Sequence, residues 1–492
     1  MKIKILLAYI FFIPIGLSIK AQEKCMLTPM EVLPTEAQIN YQQMEVIGFL
    51  HFTITTFYNK EWGYGNEDPK RFNPLLLDIE QWVKTAKKAR LNELILTAKH
   101  HDGFCLWPSK YTEHCLKNSP FKNGMGDIVK EFVEACHKYN IKVGLYLSPW
   151  DRNHKDYGKS EYITYYKNQL TELLTNYGEI NEIWFDGANG GDGYYGGACE
   201  KRTIESDYYP WKDIISIVRN LQPNCLIFSD AGPDIRWVGN EDGHCGDTFW
   251  STINHSKLKI GKADCNYLNT GEANGNTWIV GECDVSIRPG WFYHSNEDYK
   301  VKTPAQLADI YYQSVGKNGT LLINIPPDSL GRIQKVDSIN LVNFRTTIDE
   351  TFKTNLALGA NVKASNTISR NICHNAHNIV DSSNETFWAA EDNITSSTLE
   401  IELPKEVEFN RILIQEPIRF GQRICEFEID IYEDEKWKPL INTTTIGYKR
   451  LIRFNNVKSK RIKLTIQKSI GTPAISNFAL YLASEKELNL SK

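Results

Sequence analysis

The sequence predicts an α/β protein: a (β/α)8-like barrel followed by an all-β sandwich. Three observations carry that reading. From about residue 45 to 325, short apolar runs alternate with stretches of helical period. After about residue 350 the helical period fades, and short alternating strands bounded by turn residues take over. The chain has 492 residues, enough for a large barrel and one smaller module.

The chain opens with a segment expected to stand outside the fold. Lys2 and Lys4 precede an apolar stretch from Ile5 to Ile19, and Ala21 supplies a small residue for cleavage. This is the pattern of a secretory signal peptide, taken here as residues 1–22, and it places the mature protein in the periplasm or outside the cell. The stretch is short of the roughly 20 residues of a membrane span, which leaves an N-terminal anchor as the alternative.

The barrel is expected over residues 23–352. Its strand candidates are Val46–Phe52, Leu94–Thr97, Val143–Leu147, Ile183–Phe185, Leu226–Ser229, Trp278–Val280 and Leu321–Ile325. Each is short and apolar, as a strand buried on both faces must be. Between them, Ile128, Val129, Phe132, Val133 and Cys136 recur at helical spacing, with Asp127 as N-cap. Ile214, Ile215, Val218 and Leu221 repeat the pattern. A doubly wound open sheet is the alternative, but no GxGxxG stands directly at a strand end to open a helix and no GxxxxGK[ST] occurs. The sandwich is expected over 353–492, with the boundary near Phe352–Leu358. Its strands are Leu399–Leu403, Arg411–Gln415, Glu426–Tyr432, Leu451–Phe454 and Arg461–Gln467.

Charge narrows the partners. With 56 basic and 60 acidic residues the net charge is −4, so there is no basic footprint for nucleic acid and no polybasic membrane arm. Beyond the leader no segment reads as a membrane span. Twelve Trp and 24 Tyr would suit a protein that meets the C–H faces of sugars, although any large fold carries many aromatics. Eleven cysteines without a CxxC pair read as mostly buried thiols with one or two bridges, whose pairing is not assigned.

In a (β/α)8 barrel the chemistry sits where strands end. The predicted exits carry His51; His100, His101 and Asp102; Ser148-Pro149-Trp150; Asp186; Asp230; and further on Glu282, Asp284 and Asn324. Asp186 follows a buried run and precedes Gly187, where the backbone can turn sharply. A strand-end Asp can equally cap the next helix. Glycosidic hydrolysis needs two carboxyl groups, one to attack the anomeric carbon and one to protonate the leaving oxygen. Glu241, on the glycine-flanked loop Gly239-Asn240-Glu241-Asp242-Gly243, suits the second role. His100 and His101 are adjacent, and neighbours on a strand point to opposite faces, so they bind one ion only if the strand has ended. No HExxH, Asp-rich loop or GxSxG accompanies them. The reading therefore needs no metal and no cofactor.

Taken together, several stretches resemble glycoside hydrolase family 29, the α-L-fucosidases. They are Gly48-Phe49-Leu50-His51-Phe52, Thr56-Phe57 with Glu61-Trp62-Gly63, Lys99-His100-His101-Asp102-Gly103-Phe104, Leu106-Trp107-Pro108-Ser109 and Trp184-Phe185-Asp186-Gly187-Ala188-Asn189-Gly190. The resemblance implies Asp186 as nucleophile. It implies contacts to fucose from His51, Glu61, Trp62, His100 and His101, with Trp107 near the sugar. Residues 229–241 and Arg288-Pro289-Gly290-Trp291 resemble the subgroup that prefers α-1,3 and α-1,4 linkages, which implies Glu241 as acid/base and Trp291 as a pocket wall. Thr53 departs from the Gly many members carry there, and a change at the pocket rim is expected from it. Residues 355–357 and 381–389 resemble the discoidin-like, factor 5/8 type C module, which implies either sugar binding, sometimes with calcium, or packing against the barrel. The expected protein is an exported retaining α-L-fucosidase acting on fucosylated oligosaccharides or glycoproteins. The alternatives are an inactive glycan-binding protein and a hydrolase of a related sugar such as galactose.

Overall fold

The computed structural model describes residues 27–262, 264–368, 374–383 and 385–490. The expected signal peptide, Cys25 and Cys373 lie outside them. Eight parallel strands close into a barrel: β1 (Val46–Leu50), β2 (Glu93–Lys99), β3 (Lys142–Leu147), β4 (Glu182–Trp184), β5 (Leu226–Ser229), β6 (Ile235–Trp237), β7 (Val280–Ser286) and β8 (Thr320–Asn324). Every strand pairs with its sequence neighbours, and β8 closes on β1 with Val46 opposite Leu321. Two strands differ from expectation. Trp278 belongs to a small antiparallel pair with residues 252–253, and the barrel strand starts only at Val280. β6 was not expected, because no helix separates it from β5; the register sets Ile235 beside Phe228.

Helices cover the barrel where local sequence starts and stops them. They are α1 (Glu36–Met44), α2 (Ile79–Lys88), α3 (Ile128–Tyr139), α4 (Ser160–Asn176), α5 (Trp211–Leu221), α6 (Pro304–Gln313) and α7 (Lys335–Thr351). The Asp127 side chain accepts the Lys130 N–H at the start of α3, and Asn140 ends it in the left-handed region. Thr303 and Gln306 form a capping box before α6, with Pro304 in its first turn.

The second unit is antiparallel: β9 (Asn361–Ala364), β10 (Ser397–Gln415), β11 (Ile424–Glu433), β12 (Lys436–Thr444), β13 (Arg450–Ser469) and β14 (Asn477–Tyr481). Four predicted strands merge pairwise into β10 and β13, whose irregularities near Glu402–Val407 and Phe409–Arg411 are bends within continuous ladders. The two units share hydrogen bonds. Gln422 donates to the Phe249 carbonyl at 2.9 Å, the Phe249 N–H reaches Thr445 Oγ1 at 2.9 Å, and Lys449 pairs with Glu45.

Ile39, Tyr41 and Met44 of α1, joined by Ile418 and Tyr448 of the second unit, pack with inward barrel residues such as Ile95, Leu226 and Leu322. This floor lies beneath a buried acidic trio. Glu282 accepts from Tyr41 and from Trp184 Nε1 (2.9 Å), so it sits inside the barrel and not at the expected strand exit. Glu93 accepts from Asn181, whereas neither carboxyl oxygen of fully buried Glu182 has a partner. Burial pushes Glu93 and Glu282 up to about 7 and Glu182 well above its ordinary value, where charge from the other two adds to the effect. These acids hold protons in the fold that the unfolded chain releases near pH ~4.3. Stability is therefore lost as pH rises from there through about 7. Glu182→Gln should raise the unfolding temperature at pH 8 by about 2 °C or more, and by less at pH 5. Equal shifts in melts at both pH values would remove the titration argument.

Candidate active site

The barrel opens at the C-terminal ends of its strands into a cavity of about 660 Å³. Its walls include Phe49, His51, Glu61, Trp62, His100, His101, Tyr146, Trp184, Asp186, Phe228, Asp230, Trp237, Glu241, Asp284 and Trp291. None of the described lining residues is Lys or Arg.

Asp186 leaves the end of β4 and is held from both sides. Tyr146 Oη donates to Oδ2 at 2.9 Å and the Ala188 N–H donates to Oδ1 at 2.7 Å. Burial raises its pKa, and these two donors oppose the rise by stabilising the anion. Gly187 is required beside it: a Cβ there would stand 2.9 Å from the Asp230 carboxyl.

The three imidazoles are neutral. Burial drives His51 and His101 down to about 3 and His100 well below its ordinary range. Their hydrogen bonds assign two tautomers. Asn324 spends its amide protons on Ser286 Oγ and the Trp291 carbonyl, so its oxygen accepts from His51 Nδ1–H at 2.9 Å. Ser148 donates to the Trp150 carbonyl, so Ser148 Oγ accepts from His101 Nδ1–H at 2.7 Å. Both rings thus keep a bare Nε2 as an acceptor, that of His101 lying 3.8 Å from Asp186 Oδ2. β2 ends at Lys99, which frees His100 and His101 from strand alternation, and both rings line the cavity with centroids 4.1 Å apart.

Glu241 reaches the same cavity from the loop after β6, and Trp291 Nε1 donates to its Oε2 at 3.0 Å. Glu241 stays solvent-accessible. Partial burial of its carboxyl raises its pKa, with negative charge from Asp186 and Glu61 adding, against the Trp291 hydrogen bond. Glu61 accepts backbone N–H groups of Trp291 and Phe292, which fixes the 290–292 turn at the rim. Trp62 is 51% exposed and stands edge-on to His101.

Two expectations fail. Trp107 is fully buried away from the cavity, donating its indole N–H to Glu172 at 2.9 Å. Glu172 also accepts from Ser109 and the Lys110 N–H, so the Leu106–Ser109 motif anchors a loop. Thr53 is not at the rim either: it is buried and, with Thr55, donates to Asp102 at 2.7 Å. Asp102 therefore braces the loop after β2.

Sequence reasoning did not assign Tyr146, Trp184 or Phe228. Their signal was strand alternation: Tyr146 in β3 and Trp184 in β4 both face inward, their rings 5.2 Å apart, and Phe228 stacks on Trp184 at 4.0 Å. Asp230 and Asp284, noted only as exits, are buried in the wall. Burial pushes Asp230 up to about 7 despite the Gly261 N–H, and pushes Asp284 well up, with Glu241 charge adding.

Neutral acceptors, aromatic faces and two carboxyls of contrasting support, gathered at the mouth of a barrel, define a glycoside hydrolase. Residues 35–344 match the family model described as alpha-L-fucosidase, and residues 361–480 match that of the F5/8 type C domain. Alpha-L-fucosidase 1 of Arabidopsis thaliana is 42% identical over 98% of this chain and 94% of its own. A solved glycoside hydrolase 29 family member from an unknown rumen bacterium superposes with a TM-score of 0.83 at 43% identity, covering 93% of this chain and 78% of that one. A Ruminococcus gnavus GH29 fucosidase solved in complex with fucose gives 0.84 at 35% identity, over 94% and 97%. The chain belongs to glycoside hydrolase family 29, the α-L-fucosidases. It is a fucose-releasing hydrolase with an F5/8 type C domain behind its barrel.

Proposed function

We propose that this fucosidase is exported and removes α-1,3- or α-1,4-linked fucose from branched glycans by double displacement. The observation that carries the mechanism is that Asp186 and Glu241 line one cavity with unequal hydrogen-bond support. Asp186 receives two donors that favour its anion. Glu241 receives one, and lies in the negative field of Asp186 and Glu61, which favours its acid form. Asp186 attacks the anomeric carbon as the C–O bond breaks, and Glu241 gives its proton to the leaving oxygen. Glu241, now a carboxylate, takes a proton from water. The resulting hydroxide equivalent opens the fucosyl ester and frees Asp186. His51 and His101 accept sugar hydroxyls through their bare Nε2 atoms, and the Phe49, Trp184 and Phe228 rings offer an apolar surface for the sugar's C–H face and methyl group.

The linkage rests on the likeness of residues 229–241 and 288–291 to one subgroup, and export on the leader pattern of residues 1–22. The domain limits that follow are 23–352 for the catalytic unit and 353–492 for the sandwich. Proton NMR of the first product formed from an α-1,3- or α-1,4-fucosylated trisaccharide tests the mechanism: α-L-fucose must appear before the β anomer. Initial β anomer, or release only from other linkages, overturns it.

The same two groups set the pH profile. Catalysis needs Asp186 ionised and Glu241 protonated, and both groups are shifted upward. Plotted against pH, kcat/KM should rise through the first pKa and fall through the second, giving a bell whose limbs both lie above the ordinary carboxyl values. A flat alkaline side would exclude Glu241 as the proton donor.

A further inference from the structure

The acid/base loop and the neighbouring strand β7 each carry one of two facing thiols that the fucosidase reaction does not use. Cys245 follows Glu241 by one turn of the loop, and Cys283 lies in β7 beside Asp284. Their sulfurs are 3.1 Å apart, both side chains are buried, and the residues are 38 positions apart in sequence. The space they share is left by Gly319, where a Cβ would stand 2.6 Å from Cys245 Sγ and 2.8 Å from Cys283 Sγ. The chain leading into Cys245 already runs along β7: the Val238 N–H donates to the Glu282 carbonyl, and Asp242 bridges Val285. Bringing the sulfurs from 3.1 Å to the roughly 2.05 Å of a disulfide therefore needs a shift of about 1 Å at the end of a segment already in register.

We propose that Cys245 and Cys283 form a disulfide that ties the far end of the Glu241 loop to barrel strand β7. The oxidant is a protein disulfide, or a small-molecule disulfide such as oxidised glutathione. One cysteine thiolate attacks it to give a mixed disulfide and a first leaving thiolate. The second cysteine thiolate then displaces the second sulfur. Two protons leave the cysteines, the S–S bond forms, and the oxidant is reduced to two thiols. Exchange has to occur during folding, since burial raises the Cys283 thiol well above its ordinary pKa and closes access to it. The proposal draws on the export reading only for the compartment where the chain meets its oxidant.

What the link would hold is specific. Between Glu241 and Ser251 the chain is held on the barrel side by the Cys245 N–H on the Gln313 carbonyl and by Asp247 with Lys317, and on the second unit's side by Arg450, Thr445 and Gln422. A covalent tie at Cys245 would reinforce the barrel-side hold on the catalytic end of that segment and persist where its hydrogen bonds open.

The test is non-reducing peptide mapping of the full chain recovered from outside the cytoplasm of an exporting host. The same chain, reduced, unfolded and refolded with reduced and oxidised glutathione, is mapped in parallel. Peptides containing Cys245 and Cys283 should appear joined, 2 Da lighter than their sum, in both samples. Reductant should then lower the unfolding temperature by about 3 °C or more. Cys245→Ala, Cys283→Ala and the double variant should melt at the same temperature with and without reductant. Both cysteines alkylated as free thiols in the refolded, active chain overturn the proposal. So does a melt of the wild-type chain that ignores reductant. A linked refolded sample beside an intracellular, unprocessed chain with free thiols supports the link and defeats only the export reading.

Discussion

Asp186→Ala should lower kcat/KM on a fucosylated trisaccharide by about 10⁴-fold or more while leaving the fold intact. The loss follows from position: this carboxylate lies at the end of β4 with Tyr146 and Ala188 as its donors, inside the same cavity as the proton donor. Survival of the fold follows from its surroundings. Its side chain is 23% exposed, and its nearest basic group, His101 Nε2 at 3.8 Å, is uncharged at neutral pH. Removing Asp186 therefore strands no buried countercharge, the usual source of large destabilisation. Unfolding should shift by no more than a few degrees. Fucose should still bind, because the imidazole acceptors keep their own supports in Asn324 and Ser148. Calorimetric titration with fucose separates the cases. Lost turnover with retained binding fits a nucleophile; activity above about one hundredth of wild type removes Asp186 from that role.

Much of this arrangement could be read from the chain, and the failures have physical causes. The barrel strands buried on both faces read as apolar runs, and a polar residue marks the end of several of them, as His51, His100 and Asp230 do. β6 escaped because it follows β5 after a few residues with no helix between, which breaks the alternation the eye follows. Glu282 misled for the opposite reason. A carboxylate inside a strand looks like an exit, but Tyr41 and Trp184 satisfy it within the barrel. Motifs conveyed which residues matter without saying how. Asp102, Trp107 and Thr53 belong to conspicuous stretches, yet each supports a loop from behind the wall. The tautomers of His51 and His101 depend on where Asn324, Ser286 and Ser148 come to rest, and those partners are 38 to 273 residues away in sequence. No local pattern encodes such contacts.

Glu241→Ala should separate leaving-group protonation from the rest of catalysis. On a glycan, whose leaving alcohol needs a proton, kcat/KM should fall by about 10²- to 10⁴-fold. On an aryl fucoside with an acidic phenol as leaving group, the first step needs little protonation and the fall should be much smaller. The second step still lacks its base, so the covalent intermediate should accumulate and limit turnover. Azide needs no base. It can enter the space vacated beside Trp291 Nε1, which in the wild type donates to Glu241 at 3.0 Å. From there it meets the anomeric carbon on the face the leaving group left, giving α-fucosyl azide and restoring turnover of the aryl substrate. Because Glu241 lies on a solvent-accessible loop and Trp291 is its hydrogen-bond donor, truncation leaves no buried charge behind. The alkaline limb of the pH profile should vanish in the same variant, since the group whose proton defined it is gone. A folded variant with an intact alkaline limb, or one that azide neither accelerates nor converts to fucosyl azide, would assign the proton to another carboxyl. Asp284 would come first, since it lines the same wall and its pKa is pushed well up by burial.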